Sequence, residues 1–495
     1  MSEEATSEFQ CKDAEVNDLF KKGLESSDDF YSPFCVKSQC PQRGSALEYR
    51  ECSEKDAAVL RRMLTTGPPV RKLCIWEMSL KAFKIAFENL EGCSSLKELH
   101  LFDVDCEERD FSVNLSGVFC SLQTLELHCS HIKTAFARDI ATFLRENKTL
   151  REFALWYSCG DDEGAVALAE ALKVNDTLRK FTLAQLKLSS ETLISFAKML
   201  ATNKTLECVD LFDCCSVEAA KVSALAEEDL YKDVFKRLRI VWTEQLLPLL
   251  TGLIRRKAFW PEISVSVTSS VDQEVLREFF DAVAADTTAT MLHFLPDDDA
   301  FDALADGIAT VAKRTTSLKV IQNLMHVKQG NEHQLVKVLD ALKENRSVTS
   351  FYMYSEVLTP ELATSLSELL AVNDTLNEIG VCEYWGITAD DVATILRGLR
   401  NNYAVTMLMV SWDPDDDVEG VLEMQELVKR NVRLHMKAAE FVCAGGSGEN
   451  DADGADALKK VHSSAKLVER VQTLTGKPSD AALDMIQAAL TRVSA

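Results

Sequence analysis

The chain has 495 residues, 54 of them Lys or Arg and 78 Asp or Glu, for a formal net charge of −24. That balance excludes nucleic acid and acidic membrane surfaces as natural partners and suits basic partners, or simply solubility. No run of 18 uncharged apolar residues occurs; the strongest candidate, 238–254, contains a Glu and a Gln, so no membrane-spanning helix is expected.

Residues 1–43 open with an acidic Met-Ser-Glu-Glu-Ala-Thr-Ser-Glu and lack the basic and apolar regions of a signal peptide, so a cytoplasmic location is expected. An amphipathic stretch around Val16, Leu19, Phe20 and Leu24 reads as an N-terminal cap. Fifteen cysteines without such a leader read as thiols rather than bridges. Cys11, Cys35, Cys40 and Cys52 hold no tight Cys-x-x-Cys pair, so neither a structural zinc nor any other cofactor is expected.

From residue 44 the chain repeats itself. Leu122-Gln-Thr-Leu-Glu-Leu127, Leu150-Arg-Glu-Phe-Ala-Leu155, Leu178-Arg-Lys-Phe-Thr-Leu183 and Leu206-Glu-Cys-Val-Asp-Leu211 recur every 28 residues. The pattern extends N-terminally through units starting at Leu96, Val70 and Gly44. C-terminally it continues at Phe235, Trp260, Ala289, Leu318, Val348, Leu376 and Ala404, and frays at Val432. A period of this size marks a solenoid, whose units bury their apolar faces only against one another. In each unit a short alternation such as Phe153, Leu155 predicts a strand, and Ala165, Leu168, Leu172 at helical spacing predict a helix. Carboxylates at Asp161-Asp-Glu suit the helix start, and the recurring Asn at its end suits a left-handed C-cap. Fourteen parallel strands at about 4.8 Å would give an inner sheet on the order of 65 Å long. Between Phe235 and Leu318 the register is least regular, because Asn323 stands where an apolar residue belongs.

Residues 433–454, which include Gly445-Gly-Ser-Gly448, read as a linker, and 455–495 as a helical cap or tail split at Gly476-Lys-Pro478. Glu449-Asn-Asp-Ala-Asp-Gly454 starts like a calcium loop, but its twelfth position is Lys460, so no metal is expected there. Six Asn-x-Ser/Thr sequons occur; five (Asn147, Asn175, Asn203, Asn345, Asn373) share one repeat position, so repeat grammar accounts for them better than glycosylation.

The repeat resembles the ribonuclease-inhibitor-type leucine-rich repeat of NOD-like receptors, ribonuclease inhibitor and Ran GTPase-activating protein. The run 160–178, Gly-Asp-Asp-Glu-Gly-Ala-Val-Ala-Leu-Ala-Glu-Ala-Leu-Lys-Val-Asn-Asp-Thr-Leu, is especially similar to receptors of the CARD-containing kind. The resemblance implies an α/β leucine-rich repeat horseshoe over 44–432, with a parallel inner sheet and outer helices. It also implies a protein-recognition role in innate-immune-like signalling. The family's Asn or Cys just after the strand is mostly missing: Cys52 and Cys214 match it, but Met78, Leu186, Thr243 and His326 stand there elsewhere. Something other than that ladder is therefore expected to hold the turns.

No Gly-x-x-x-x-Gly-Lys-Ser/Thr, His-Glu-x-x-His or Gly-x-Ser-x-Gly motif is present, so the chain reads as non-catalytic. Strand positions 3, 5 and 7 alternate with the buried ones and face the hollow side. Position 7 reads Trp76, Phe102, His128, Trp156, Ala184, Phe212, then Leu295, Leu324 and Tyr354; Trp242, Trp385 and Trp412 lie at positions 7 to 10 of their units. Of these, Trp76, Phe102, His128, Trp156, Phe212 and Tyr354, with Arg237 and Arg239, are the expected contacts of a protein partner. The alternative is that the aromatics pack on each other. A ribonuclease-inhibitor-like enzyme inhibitor and a GTPase activator are the competing functions.

Overall fold

In a computed structural model the described residues are 19, 46–67, 69–88, 90, 93–105, 121–129, 134–156, 162–184, 189–212, 217–295, 300–327, 330–355, 357–382, 387–410, 418–446 and 452–494. The chain forms two compact units, Met1–Val241 with Ala258–Trp260, and Trp242–Lys257 with Pro261–Ala495.

The first unit is built on strands β1 (Ala46–Cys52), β2 (Lys72–Ser79), β3 (Glu98–Asp105), β4 (Thr124–Cys129), β5 (Glu152–Trp156), β6 (Lys180–Ala184), β7 (Cys208–Phe212) and β8 (Leu238–Thr243). Each pairs in parallel with the next in chain order. The register aligns repeat on repeat: Leu125 opposes Phe153, Phe153 opposes Phe181, and Phe181 opposes Val209. Between strands run helices α1 (Glu54–Thr66), α2 (Leu80–Phe87), α3 (Thr134–Glu146), α4 (Asp162–Leu172), α5 (Ser190–Thr202) and α6 (Ala219–Glu227). One unit shows why they stack. Leu150, Phe153 and Leu155 from the strand side and Leu168 and Leu172 from α4 are all buried. Each contributes roughly 1.5–3 kcal/mol by leaving water, which neither element achieves alone.

The second unit repeats the scheme with β9 (Glu262–Ser266), β10 (Met291–Phe294), β11 (Val320–Val327), β12 (Ser350–Ser355), β13 (Glu378–Cys382) and β14 (Met407–Val410). These too are parallel in chain order. Its helices are α7 (Leu247–Arg255), α8 (Gln273–Ala285), α9 (Phe301–Arg314), α10 (Glu332–Leu342), α11 (Pro360–Val372) and α12 (Ala389–Leu399). The fold is an α/β solenoid of leucine-rich-repeat type. Its irregular stretch keeps the expected register: Ile263 opposes Leu292, and Phe294 opposes Asn323, which sits fully buried in a leucine's place. The β11–β12 ladder shifts register between Asn323 and His326, as other pairs do near the strand end, for example β3–β4 between Leu101 and Val104.

An asparagine ladder does exist, at the helix exit instead of after the strand. Asn203 Nδ2 donates to the carbonyls of Leu172 (2.7 Å) and Asn175 (2.8 Å) in the preceding repeat, while its Oδ1 accepts from the amides of Thr205 (2.7 Å) and Leu206 (2.9 Å). Asn175, Asn345, Asn373 and Asn402 make the same set. The expected left-handed cap is corrected here: Asn203 and Asn373 are extended, at φ −75° and −98°. An extended Asn leaves its amide lying flat between repeats, where it satisfies both the outgoing helix and the incoming strand. Asp286 and Thr315 keep only the accepting half of the role. The five sequon asparagines are 2–8% exposed, as a structural role requires; Asn114 lies outside the described residues.

The C-terminal region folds into four helices, α13 (Val418–Cys443), α14 (Ala452–Val461), α15 (Ala465–Thr475) and α16 (Ser479–Ser494). Helix α13 continues through 433–443, where the sequence reads as linker, and no strand follows Ala404's repeat at Val432. Ala438, Phe441 and Val442 of α13 pack with Leu458, Val461, Leu467, Val471 and Ile486 in one buried cluster. The cluster is tied to the repeats by Asn377, whose Nδ2 donates to Ser464 Oγ (3.0 Å) and whose Oδ1 accepts from the Lys466 amide (3.1 Å). Of the N-terminal cap, Leu19 alone is described; its carbonyl accepts from Tyr49 Oη at 2.9 Å.

Candidate interaction face

Strand pleating divides each repeat into a buried row and a row facing away from the helices. In the first unit Leu73, Ile75, Leu99, Leu101, Leu125, Leu127, Phe153 and Leu155 are buried, and the residues between them line the opposite, inner face. There the aromatic row closes into a continuous stack. Trp76 and Phe102 lie 4.4 Å apart and 17° from parallel, Phe102 and His128 4.6 Å apart and tilted by 55°, and His128 and Trp156 5.3 Å apart and 19° from parallel. All four are half-buried. Backbone spacing produces this stack, since parallel strands about 4.8 Å apart bring equivalent rings to stacking distance.

Carboxylates at strand position 5, beside the rings on the same face, hold two of the four, Trp76 and His128. Trp76 Nε1 donates to Glu48 Oε1 at 2.7 Å. Glu126 bridges two imidazoles, His100 Nδ1 at 2.8 Å and His128 Nε2 at 2.9 Å. Burial raises the Glu126 pKa, but hydrogen bonds from both histidines outweigh it and bring the carboxyl down from 4.5 to about 2. An ionised carboxylate only accepts, so each imidazole donates through the nitrogen facing Glu126, and this sets its tautomer. The aromatic row was legible as a period in the sequence. The period by itself does not single out Glu48, His100 and Glu126, although their spacing carries a signal: His100 precedes Glu126 by one 26-residue repeat, and His128 lies two residues after Glu126 on the same face.

Farther along, Arg239 is held 3.0 Å from Asp210, its neighbour in register on β7. Arg237 departs from expectation: it precedes β8, and its guanidinium donates to the carbonyls of Leu200, Asn203 (2.9 Å) and Leu206 (3.0 Å). It takes over the asparagine position where the ladder lapses, so it is committed to the backbone and does not grip an acidic group on the inner face. Partial burial lowers its pKa. Trp242, at position 8 of its unit, is buried. The side chains of Phe212, Leu324 and Tyr354, and all of Trp385 and Trp412, lie outside the described residues.

The sequence matches no known family model and no curated protein. Among solved structures, the tropomodulin C-terminal domain of Caenorhabditis elegans shares 15% identity over 32% of this chain and 93% of that one, with a TM-score of 0.25. A chain of a TLR13–ssRNA13 complex shares 9% over 74% of this chain and 58% of its own length, with a TM-score of 0.26. Neither likeness carries a partner or an activity across. Among the described residues no helix is long and apolar enough to cross a membrane.

Proposed function

We propose that this chain is a non-catalytic cytoplasmic scaffold that recognises a protein partner through the inner face of β1 to β5. One observation carries the reading. The stack Trp76–Phe102–His128–Trp156 is half-exposed, its rings rest on one another across strands, and Trp76 and His128 are hydrogen-bonded to Glu48 and Glu126. Large aromatic area held rigid before binding is what contact hot spots are made of, because little side-chain entropy remains to be lost. Affinity capture comparing the wild type with Trp76→Ala/Trp156→Ala tests it. Captured proteins should depend on both rings, and equal capture by the folded double variant removes the proposal. A role in innate-immune-like signalling rests only on the repeat's likeness to NOD-like receptors.

A second reading, protein inhibition of an enzyme as in ribonuclease inhibitor, is supported by the net charge and by a cysteine-rich composition, fifteen in 495 residues. Inhibition of a basic nuclease by the reduced protein tests that reading directly.

A further inference from the structure

The aromatic stack has an acidic border that internal packing does not explain. Glu51, Glu77 and Asp103 are exposed and stand side by side on β1, β2 and β3, since Glu51 opposes Glu77 and the pairs Ile75–Leu101 and Met78–Val104 bracket Asp103 beside it. Strand spacing puts like charges about 5 Å apart, an arrangement that disfavours pairing of the strands. Among the described residues no cation lies within ion-pair distance of any of the three. Elsewhere on the same face carboxylates are matched, as in Lys72–Glu98 (3.8 Å), Lys180–Glu152 (3.1 Å) and Arg239–Asp210 (3.0 Å). Asp103 also holds a left-handed backbone, φ +49°, which side chains other than glycine seldom adopt. Over β1 to β5 the strands carry eight carboxylates (Glu48, Glu51, Glu77, Glu98, Asp103, Asp105, Glu126, Glu152) against two cations, Arg50 and Lys72.

Two of the three directly follow an aromatic of the position-7 row, Glu77 after Trp76 and Asp103 after Phe102, while Glu51 follows Arg50. The face thus offers an apolar strip with a line of unneutralised charge along it. We infer that its partner contributes an extended segment bearing arginine or lysine at alternate positions. The aliphatic stems lie along the Trp76–Phe102 rings and the cationic ends pair with Glu51, Glu77 and Asp103. An amphipathic cation fits both halves of the surface at once, whereas a purely apolar side chain leaves the carboxylates unmatched. Alternate side chains on one side of an extended chain recur every 6.6–6.8 Å by strand geometry, so two of them fit within the roughly 10 Å covered by three strands. This deepens the reading above and rests on it.

A phage-displayed library of random dodecapeptides, panned against the full chain, tests the inference. Enriched peptides should carry two or more Arg or Lys residues at i and i+2. Synthetic copies should bind Glu77→Gln/Asp103→Asn at least about tenfold more weakly, and salt raised from about 50 to about 500 mM should weaken the wild type similarly. Asparagine tolerates the left-handed backbone, so this variant keeps the fold. Enriched peptides without basic residues that still depend on Trp156 overturn the inference and leave the scaffold reading standing. Basic peptides indifferent to the double variant overturn it as well, and no enrichment at all removes both.

Discussion

His128 and Trp156 oppose each other in register on β4 and β5, with rings 5.3 Å apart and 19° from parallel, while His128 Nε2 donates to Glu126 beside them. Packing and presentation are therefore not alternatives at this face. The rings rest on one another and remain half-exposed, and each is oriented by the next.

Trp156→Ala should leave cooperative unfolding intact, because the core of its repeat is Leu150, Phe153 and Leu155 and not the indole. The loss of one stacked neighbour costs about 0.5–1.5 kcal/mol of stability. Partner affinity should fall by about 1–3 kcal/mol. Thermal unfolding and a binding isotherm on the same sample separate the two effects; a collapsed transition would show the residue to be structural.

Asn203→Ala removes four hydrogen bonds at a position 4% exposed and strands the carbonyls of Leu172 and Asn175. A loss of about 3–5 kcal/mol is expected, within the range for breaking a buried polar network. Hydrogen exchange should accelerate first at the Thr205 and Leu206 amides. Asn203→Asp keeps the acceptor and loses the donor, so it should protect those two amides better than alanine does.

Glu126 links pH to the stability of this face. Its folded pKa, about 2, lies below the 4.5 of the unfolded chain, so the contribution is complete above 4.5 and is lost as pH falls through 2. Allowing for solvent screening of a partly exposed group, it amounts to about 1–2 kcal/mol. Glu126→Gln should lose stability at neutral pH and flatten the acid limb. An unchanged acid limb in chemical denaturation would place the dependence elsewhere.

His435 of α13 links pH to the C-terminal helices. Its Nδ1 faces the Asn431 carbonyl (2.8 Å) and its Nε2 faces Ser464 Oγ (2.8 Å). Burial lowers its pKa from 6.5 to about 4, the Asn431 carbonyl opposes the shift, and Arg470 and Lys466 add to it. Between those values the unfolded chain binds more protons, so stability falls as pH drops from 6.5 to 4, by up to about 3 kcal/mol. His435→Gln should abolish this slope; Trp fluorescence-monitored denaturation at stepped pH, with exchange protection in α13 to α15, reads it out.

The repeat was legible because its cause is local. Leucines at fixed offsets bury only if successive turns superpose, and Ile263, Leu292 and Ile321 fell in register even where Asn323 broke the pattern. The aromatic row followed from the same period. The polar partners did not, because Glu48 reaches Trp76 from a strand 28 residues away and Glu126 joins His128 on its own strand to His100, 26 residues back, and one sequence does not say which polar side chain turns toward which.

Periodicity alone therefore determined the stacked α/β architecture, the strand register and the position of the aromatic strip, since each depends on side-chain spacing along one chain. Only tertiary structure decided that asparagines staple the repeats from the helix side, that Arg237 replaces one of them, and that α13 to α16 close on one another. Those outcomes depend on which buried carbonyls remain unsatisfied once the turns are stacked, a quantity that exists only in three dimensions.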